Sequence, residues 1–191
     1  MPVFLKDIKR ELESDIGKVG QAADGSYKFE PPNIVGRKIS KYTKLKVTKV
    51  SSTPTFGTNS ISYNGLAASE SDKGIKYKVT IRFHDMQFKD IASKQFSTEA
   101  KMGKVTKYHR IPTVQRNPVM LKCSCQDFRH RFETQLSNAS GLVGGPRKYT
   151  RKTPPWPIGY PFANSTNKLG ICKHVNSLLF ILKDKGLIKE R

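Results

Sequence analysis

Apolar and polar residues alternate most cleanly between positions 76 and 83. Tyr77, Val79, Ile81 and Phe83 face one way there, and Lys76, Lys78, Thr80 and Arg82 face the other. A period of two marks a strand with one buried face. Residues 38–50 carry a weaker version, with Ile39, Leu45 and Val47 set among Lys44, Lys46 and Lys49. They predict a half-buried strand with a basic outer face. Inside the Ser/Thr/Asn/Gly-rich stretch 51–74, Asn64-Gly65 sits between Ile61, Tyr63 and Leu66 and has the sequence of a tight hairpin turn. Further strands are expected over 104–111 and 119–122.

At both ends of the chain the period becomes that of a helix. Leu5, Ile8, Leu12 and Ile16 make one stripe across 3–16, stopped by Gly17. This helix either packs on its own domain or docks on a partner. Val175, Leu178, Leu179 and Leu182 make a second stripe beginning at 174, with Gly186 at the C-cap. Residues 20–37, broken by Asp24-Gly25, Pro31-Pro32 and Gly36, read as loop. The elements predict an α+β fold: a small antiparallel sheet, an N-terminal amphipathic helix and a C-terminal strand–hairpin–helix unit with a long insertion. Residues 1–117 form the helix-plus-strand scaffold, and residues 118–191 form the second unit, its insertion at about 126–170.

All three cysteines of the chain fall in that second unit: Cys123-Ser-Cys125, then 46 residues, then Cys172-Lys-His174. Cys₃His is a closed, four-ligand structural set for Zn²⁺. Cys123 and Cys125, two apart at a strand end, share a face. In a continuous helix Cys172 and His174 would diverge by about 200°. They converge only if Cys172 precedes the helix and His174 lies in its first turn, where Gly170 and the stripe from Val175 place the boundary. The helix N-terminus then favours the thiolate of Cys172. His130 and His109 are alternative fourth ligands. Four protein ligands leave no open position for water, so such an ion stabilises the fold and does not catalyse.

The order Cys-x-Cys…Cys-x-His, with a strand before and a helix after, resembles the SWIM-type zinc finger over about residues 118–185. That resemblance implies a ββα unit, Cys123, Cys125, Cys172 and His174 as zinc ligands, and a role in DNA binding or protein–protein contacts. The 46-residue gap is longer than the family spacing, which implies an excursion inserted between the ligand pairs. Cys-x-Cys-x-Asp-Phe, a Pro-rich basic stretch and Gly-x-Cys-Lys-His together also resemble SWIM-containing structural proteins of tailed bacteriophages.

Charge adds a partner. The chain carries 35 Lys+Arg against 15 Asp+Glu, a net +20. Residues 1–100 hold 17 basic and 11 acidic groups, and residues 101–191 hold 18 and 4. Self-repulsion of that size favours a polyanionic or acidic partner. In the excursion Arg129, Arg131, Arg147, Lys148, Arg151 and Lys152 are interleaved with Tyr149, Trp156 and Tyr160 and stiffened by prolines. Such a segment can track a phosphate backbone, lie across a neighbouring subunit, or fold its aromatics, with Phe128 and Phe132, over the metal site.

Only Asp127, Glu133, Asp184 and Glu190 are acidic beyond residue 100, so a two-carboxylate or two-metal active site is hard to build there. A His-dependent nuclease using His109 and His130 is the weakest alternative. Charged residues within the first ten positions interrupt any secretory signal, and the longest apolar run, 178–182, is too short to span a bilayer. The expectation is a non-enzymatic, zinc-stapled structural or binding protein of a large assembly. Its partners are neighbouring subunits or DNA, with no membrane and no small-molecule substrate, in the host-cell interior or a virion. A free DNA-binding module is the alternative.

Overall fold

A computed structural model of the chain describes residues 2–8, 45–69, 73–145 and 169–191. The strands are β1 (Val47–Thr55), β2 (Ser60–Ala68), β3 (Lys76–Phe83), β4 (Phe88–Lys89), β5 (Thr98–Met102), β6 (Val105–His109) and β7 (Val119–Cys123). The helices are α1 (Gln126–Arg131), α2 (Glu133–Asn138) and α3 (Lys173–Asp184). One antiparallel sheet runs β1-β2-β3-β7 and a smaller one runs β4-β6-β5. This is the expected α+β class with antiparallel sheets and a C-terminal helix.

Register explains why the large sheet has one dry face. Ile61 pairs with Phe83, Tyr63 with Ile81 and Gly65 with Val79 across β2 and β3. Val79, Ile81 and Phe83 then pair with Cys123, Leu121 and Val119 of β7. All of these residues are buried. Onto this face α3 lays Val175, Leu178, Leu179 and Leu182, each of them buried. Burying such a side chain is worth about 1.5–3 kcal/mol, so this stripe holds the helix down. The Tyr63 hydroxyl donates to the carbonyl of Leu187 at 3.2 Å and ties the end of the helix to the sheet. Residues from Val3 to Ile188 share one buried cluster, and β7 joins the strands of the first 117 residues in one sheet.

The edge of β7 is occupied. Its Val119 N–H donates to the carbonyl of Val3 and its Leu121 N–H to that of Gly141, both at 2.8 Å, and Val143 N–H returns to Leu121 O at 3.1 Å. At the opposite edge β1 bulges between Thr48 and Ser51, with Lys49 at φ 52°. The C-terminal residues strap the smaller unit: Val114 N–H donates to Lys189 O and Lys189 N–H to Pro112 O, both at 2.9 Å.

Four expectations change. Residues 5–8 are helical, and Val3, Leu5 and Ile8 are buried in the chain's own core. Leu12, Ile16, the 20–37 loop and Ile39 lie outside the described residues. Asn64-Gly65 is the middle of β2, and the chain reverses instead at Phe56–Thr58, a single 3₁₀ turn closed by Asn59 at φ 46°. Among the described residues the first strand begins at Val47 and runs to Thr55, into the Ser/Thr-rich stretch after 50, because the bulge at Lys49 breaks its alternation. The strand expected over 104–111 is β6, hairpinned to β5 through Gly103 at φ 60°. β5 gave no signal, since Ala100 is its only buried side chain.

The start of the segment read as the insertion is helical. Residues 126–138 form α1 and α2, and Leu142 bridges to Leu121. Phe128, Phe132 and Leu136 are buried beside β7. Their i, i+4, i+8 spacing is a helical stripe, masked in the sequence by the arginines around it. No helix among the described residues is long and apolar enough to cross a membrane.

Candidate metal centre

The centre is assembled by three local devices. β7 ends at Cys123, whose partner across the ladder is Val79, so its side chain enters the core face. The next residue is clamped: Ser124 N–H donates to Lys78 O at 3.0 Å and Lys78 N–H donates to Ser124 Oγ at 2.9 Å. Cys125 is the N-cap of α1, extended at φ −70° and ψ 152°, and its Sγ accepts the Phe128 N–H at 3.3 Å. Cys172 is the N-cap of α3 at φ −76° and ψ 163° and makes no side-chain cap bond, so its sulfur points to the cluster instead. His174 follows in the first turn, as the divergence argument requires.

Cys123, Cys125, Cys172 and His174 are all buried, and one donor atom from each lies within 4.8 Å of all the others. A tetrahedral zinc with bonds of about 2.3 Å sets sulfur ligands about 3.7 Å apart, so the cluster matches that size with little contraction. None of the three cysteines is in a disulfide.

Two further observations fit a cation. His174 is 2% exposed, yet neither ring nitrogen has a hydrogen-bond partner among the described residues. Such an orphan is costly unless something else satisfies it. The sulfurs carry the same message. Hydrogen bonding to Cys125 pushes the Cys123 thiol up, and burial pushes Cys172 up. Hydrogen bonds from Cys123 and Cys172 hold Cys125 far below the usual thiol range. Three buried sulfurs this close oppose one another's ionisation. A bound dication lets all three ionise.

Supporting contacts fix the ligands. The Tyr77 ring lies 4.6 Å, centroid to centroid, from that of His174 and is tilted by 52°. Ser177 Oγ donates to Lys173 O at 2.8 Å within the same turn. Gly170 sits so close to Phe132 that a Cβ there would lie 2.5 Å from the ring. This contact brings the segment leading to Cys172 against Phe132, at the far end of the helix that Cys125 caps. Sequence reasoning used Gly170 only as a helix boundary.

Of the alternative fourth ligands, His109 lies in β6, buried, its Nδ1 2.7 Å from the carbonyl of Arg110, and is not part of the cluster. His130 belongs to α1, and its side chain lies outside the described residues. Arg129, expected on a solvent-facing excursion, is half-buried on α1. Arg131 ends that helix, its side chain outside the description, and Arg147, Lys148, Tyr149, Arg151, Lys152, Trp156 and Tyr160 also lie outside the described residues.

The donor set and its burial make this a centre able to hold a metal ion. No protein-family model, curated protein or solved structure matches this chain.

Proposed function

We propose that the chain is a non-enzymatic structural or binding protein of a large assembly, stapled by one Zn²⁺ at Cys123, Cys125, Cys172 and His174. The observation that carries this reading is the convergence of four buried donors, three of them sulfur, on one point. Thiolate-rich tetrahedral sets suit zinc, and a site closed by four protein ligands has no vacancy for substrate. The Cys-x-Cys…Cys-x-His order and the strand–helix frame support a SWIM-type module. Its likeness to structural proteins of tailed phages supports a place in a virion. The net +20 supports docking on an acidic or polyanionic neighbour.

Metal analysis of the purified chain tests the proposal. One zinc per chain is expected, and cobalt substituted for it should give the intense near-ultraviolet absorption of thiolate ligation. Cys172→Ser should lose the ion and melt at lower temperature, because binding energy at such a site is folding energy. Full metal content and unchanged melting in that variant would sink the ligand assignment.

A further inference from the structure

The outer face of the large sheet is a cationic surface that the metal centre does not use. We infer that this face binds the phosphate backbone of duplex DNA. The inference rests on the docking half of the proposed function and not on the zinc.

The face opposite α3 carries the alternate residues of each strand. On β3 these are Lys76, Lys78, Thr80 and Arg82, and on β7 Lys122 stands directly across from Thr80. Lys122 is thus diagonal to both Lys78 and Arg82, at about 7–8 Å. Lys76 and Lys78 are exposed. Arg82 Nε donates to Ser62 Oγ at 2.9 Å, which lays the guanidinium across β2, and Thr80 Oγ1 donates to Asn64 Oδ1 at 2.9 Å. The Lys122 ammonium lies beside Gly144, 3.4 Å from where a Cβ would stand.

The four strands of this sheet contain no Asp or Glu at all. The rest of the described surface is different: Lys101 pairs with Glu99 and Lys107 with Asp90, both at 3.3 Å, and Lys183 pairs with Glu190. An antiparallel sheet needs a polar outer face, but that need is met by mixed charges. Nor do Lys76 and Lys78 guard an edge, because β3 lies between β2 and β7.

None of these ion pairs among the described residues involves this row, and a concentrated single-sign field calls for a counter-charge. Side chains on one face of a strand recur about every 6.8 Å. Duplex DNA carries one negative charge per roughly 1.7 Å of helix axis, so a row at this spacing meets counter-charge along its whole length. No aromatic side chain projects from the outward positions of the four strands, so the stacking that single-strand binders use has no platform here. Backbone neutralisation of a duplex is what the residues can do.

The test is fluorescence anisotropy of a labelled duplex of about 30 base pairs, titrated with the full metal-loaded chain between about 50 and 200 mM NaCl. Lys76→Gln, Lys78→Gln, Arg82→Gln and Lys122→Gln combined should weaken binding at least about tenfold and reduce the salt slope by roughly 3 to 4. Lys101→Gln with Lys107→Gln, on the second sheet, should change affinity less than about twofold. If the fourfold variant misfolds, the exposed pair Lys76→Gln and Lys78→Gln carries the test, with a slope reduction of about 2.

Absent duplex binding by the parent, or unchanged affinity and slope in the variants, overturns the inference. Loss of binding only on neutralising Arg147, Lys148, Arg151 and Lys152 also overturns it, by moving the DNA to the excursion. Poly-L-glutamate competing as well as DNA overturns it in favour of an acidic protein, and an RNA duplex binding at least about tenfold tighter overturns the DNA assignment. Metal content, measured on each variant, separates the two readings: a chain without zinc that still binds DNA through this face defeats only the metal proposal.

Discussion

Gly170 and Phe132 are packed so closely that the chain leaves no room for a β-carbon between them: one added at Gly170 would stand 2.5 Å from Cε1 and 2.8 Å from Cδ1 of the ring. Phe132 closes the helix that Cys125 caps, and Gly170 precedes Cys172 by two. Gly170→Ala must therefore displace the aromatic ring or the backbone that delivers Cys172. Overpacking of this kind costs about 1–3 kcal/mol. The variant is expected to melt lower and to surrender zinc to a chelator more readily. Adding Phe132→Leu should restore part of both losses, and a double-mutant cycle read by melting and chelator competition checks it. An additive cycle would show that the contact does not position the ligand.

His109 sets a pH dependence separate from the thiols. Its Nδ1 faces the carbonyl of Arg110, which can only accept, so Nδ1 carries the proton and Nε2 is the bare nitrogen, buried without a partner. Burial lowers its pKa, against a smaller upward pull from that hydrogen bond. A histidine with a depressed folded pKa stabilises fully above its unfolded value of about 6.5, and the contribution is lost as pH falls below it. Melting temperature should fall between about pH 6.5 and 5. His109→Gln should flatten that part of the profile relative to the parent. Both chains keep the same metal ligands, so their difference isolates the histidine; parallel profiles would show that His109 does not titrate on unfolding.

Gly65 yields a third prediction. A Cβ there would meet Val47 Cγ1 at 2.8 Å and Leu178 Cδ1 at 3.2 Å, so the residue is small because α3 and β1 crowd it from two sides. Gly65→Ala should destabilise the chain by about 1–3 kcal/mol in urea unfolding. Val47→Ala in the same chain should recover some of it. An unaffected midpoint would mean that the helix rides higher on the sheet than described.

That same glycine marks the limit of what the residues disclose in one dimension. Asn64-Gly65 has the local chemistry of a turn, but its glycine answers a contact with a residue more than a hundred positions away. The bulge at Lys49 likewise hid β1, because one left-handed residue shifts every later side chain to the other face. β3, β7 and α3 were legible because their burial is periodic and uninterrupted. The ligand set was legible too, since Cys172 had to precede the helix for His174 to converge. α1 and α2 were not, although Phe128, Phe132 and Leu136 spelled out their buried stripe. The arginines and the proline-rich run beyond left three uses open for the segment, and the burial of Phe128 and Phe132 agrees with the inward-packing one.

The two edges of the large sheet have a consequence for how molecules of this protein meet each other. On one side the backbone of β7 is already engaged by Val3, Gly141 and Val143. On the other, β1 is kinked at Lys49 and carries Pro54, which has no N–H to offer. Neither border presents a straight row of open amides, so strand-to-strand growth into larger sheets is discouraged at high local concentration.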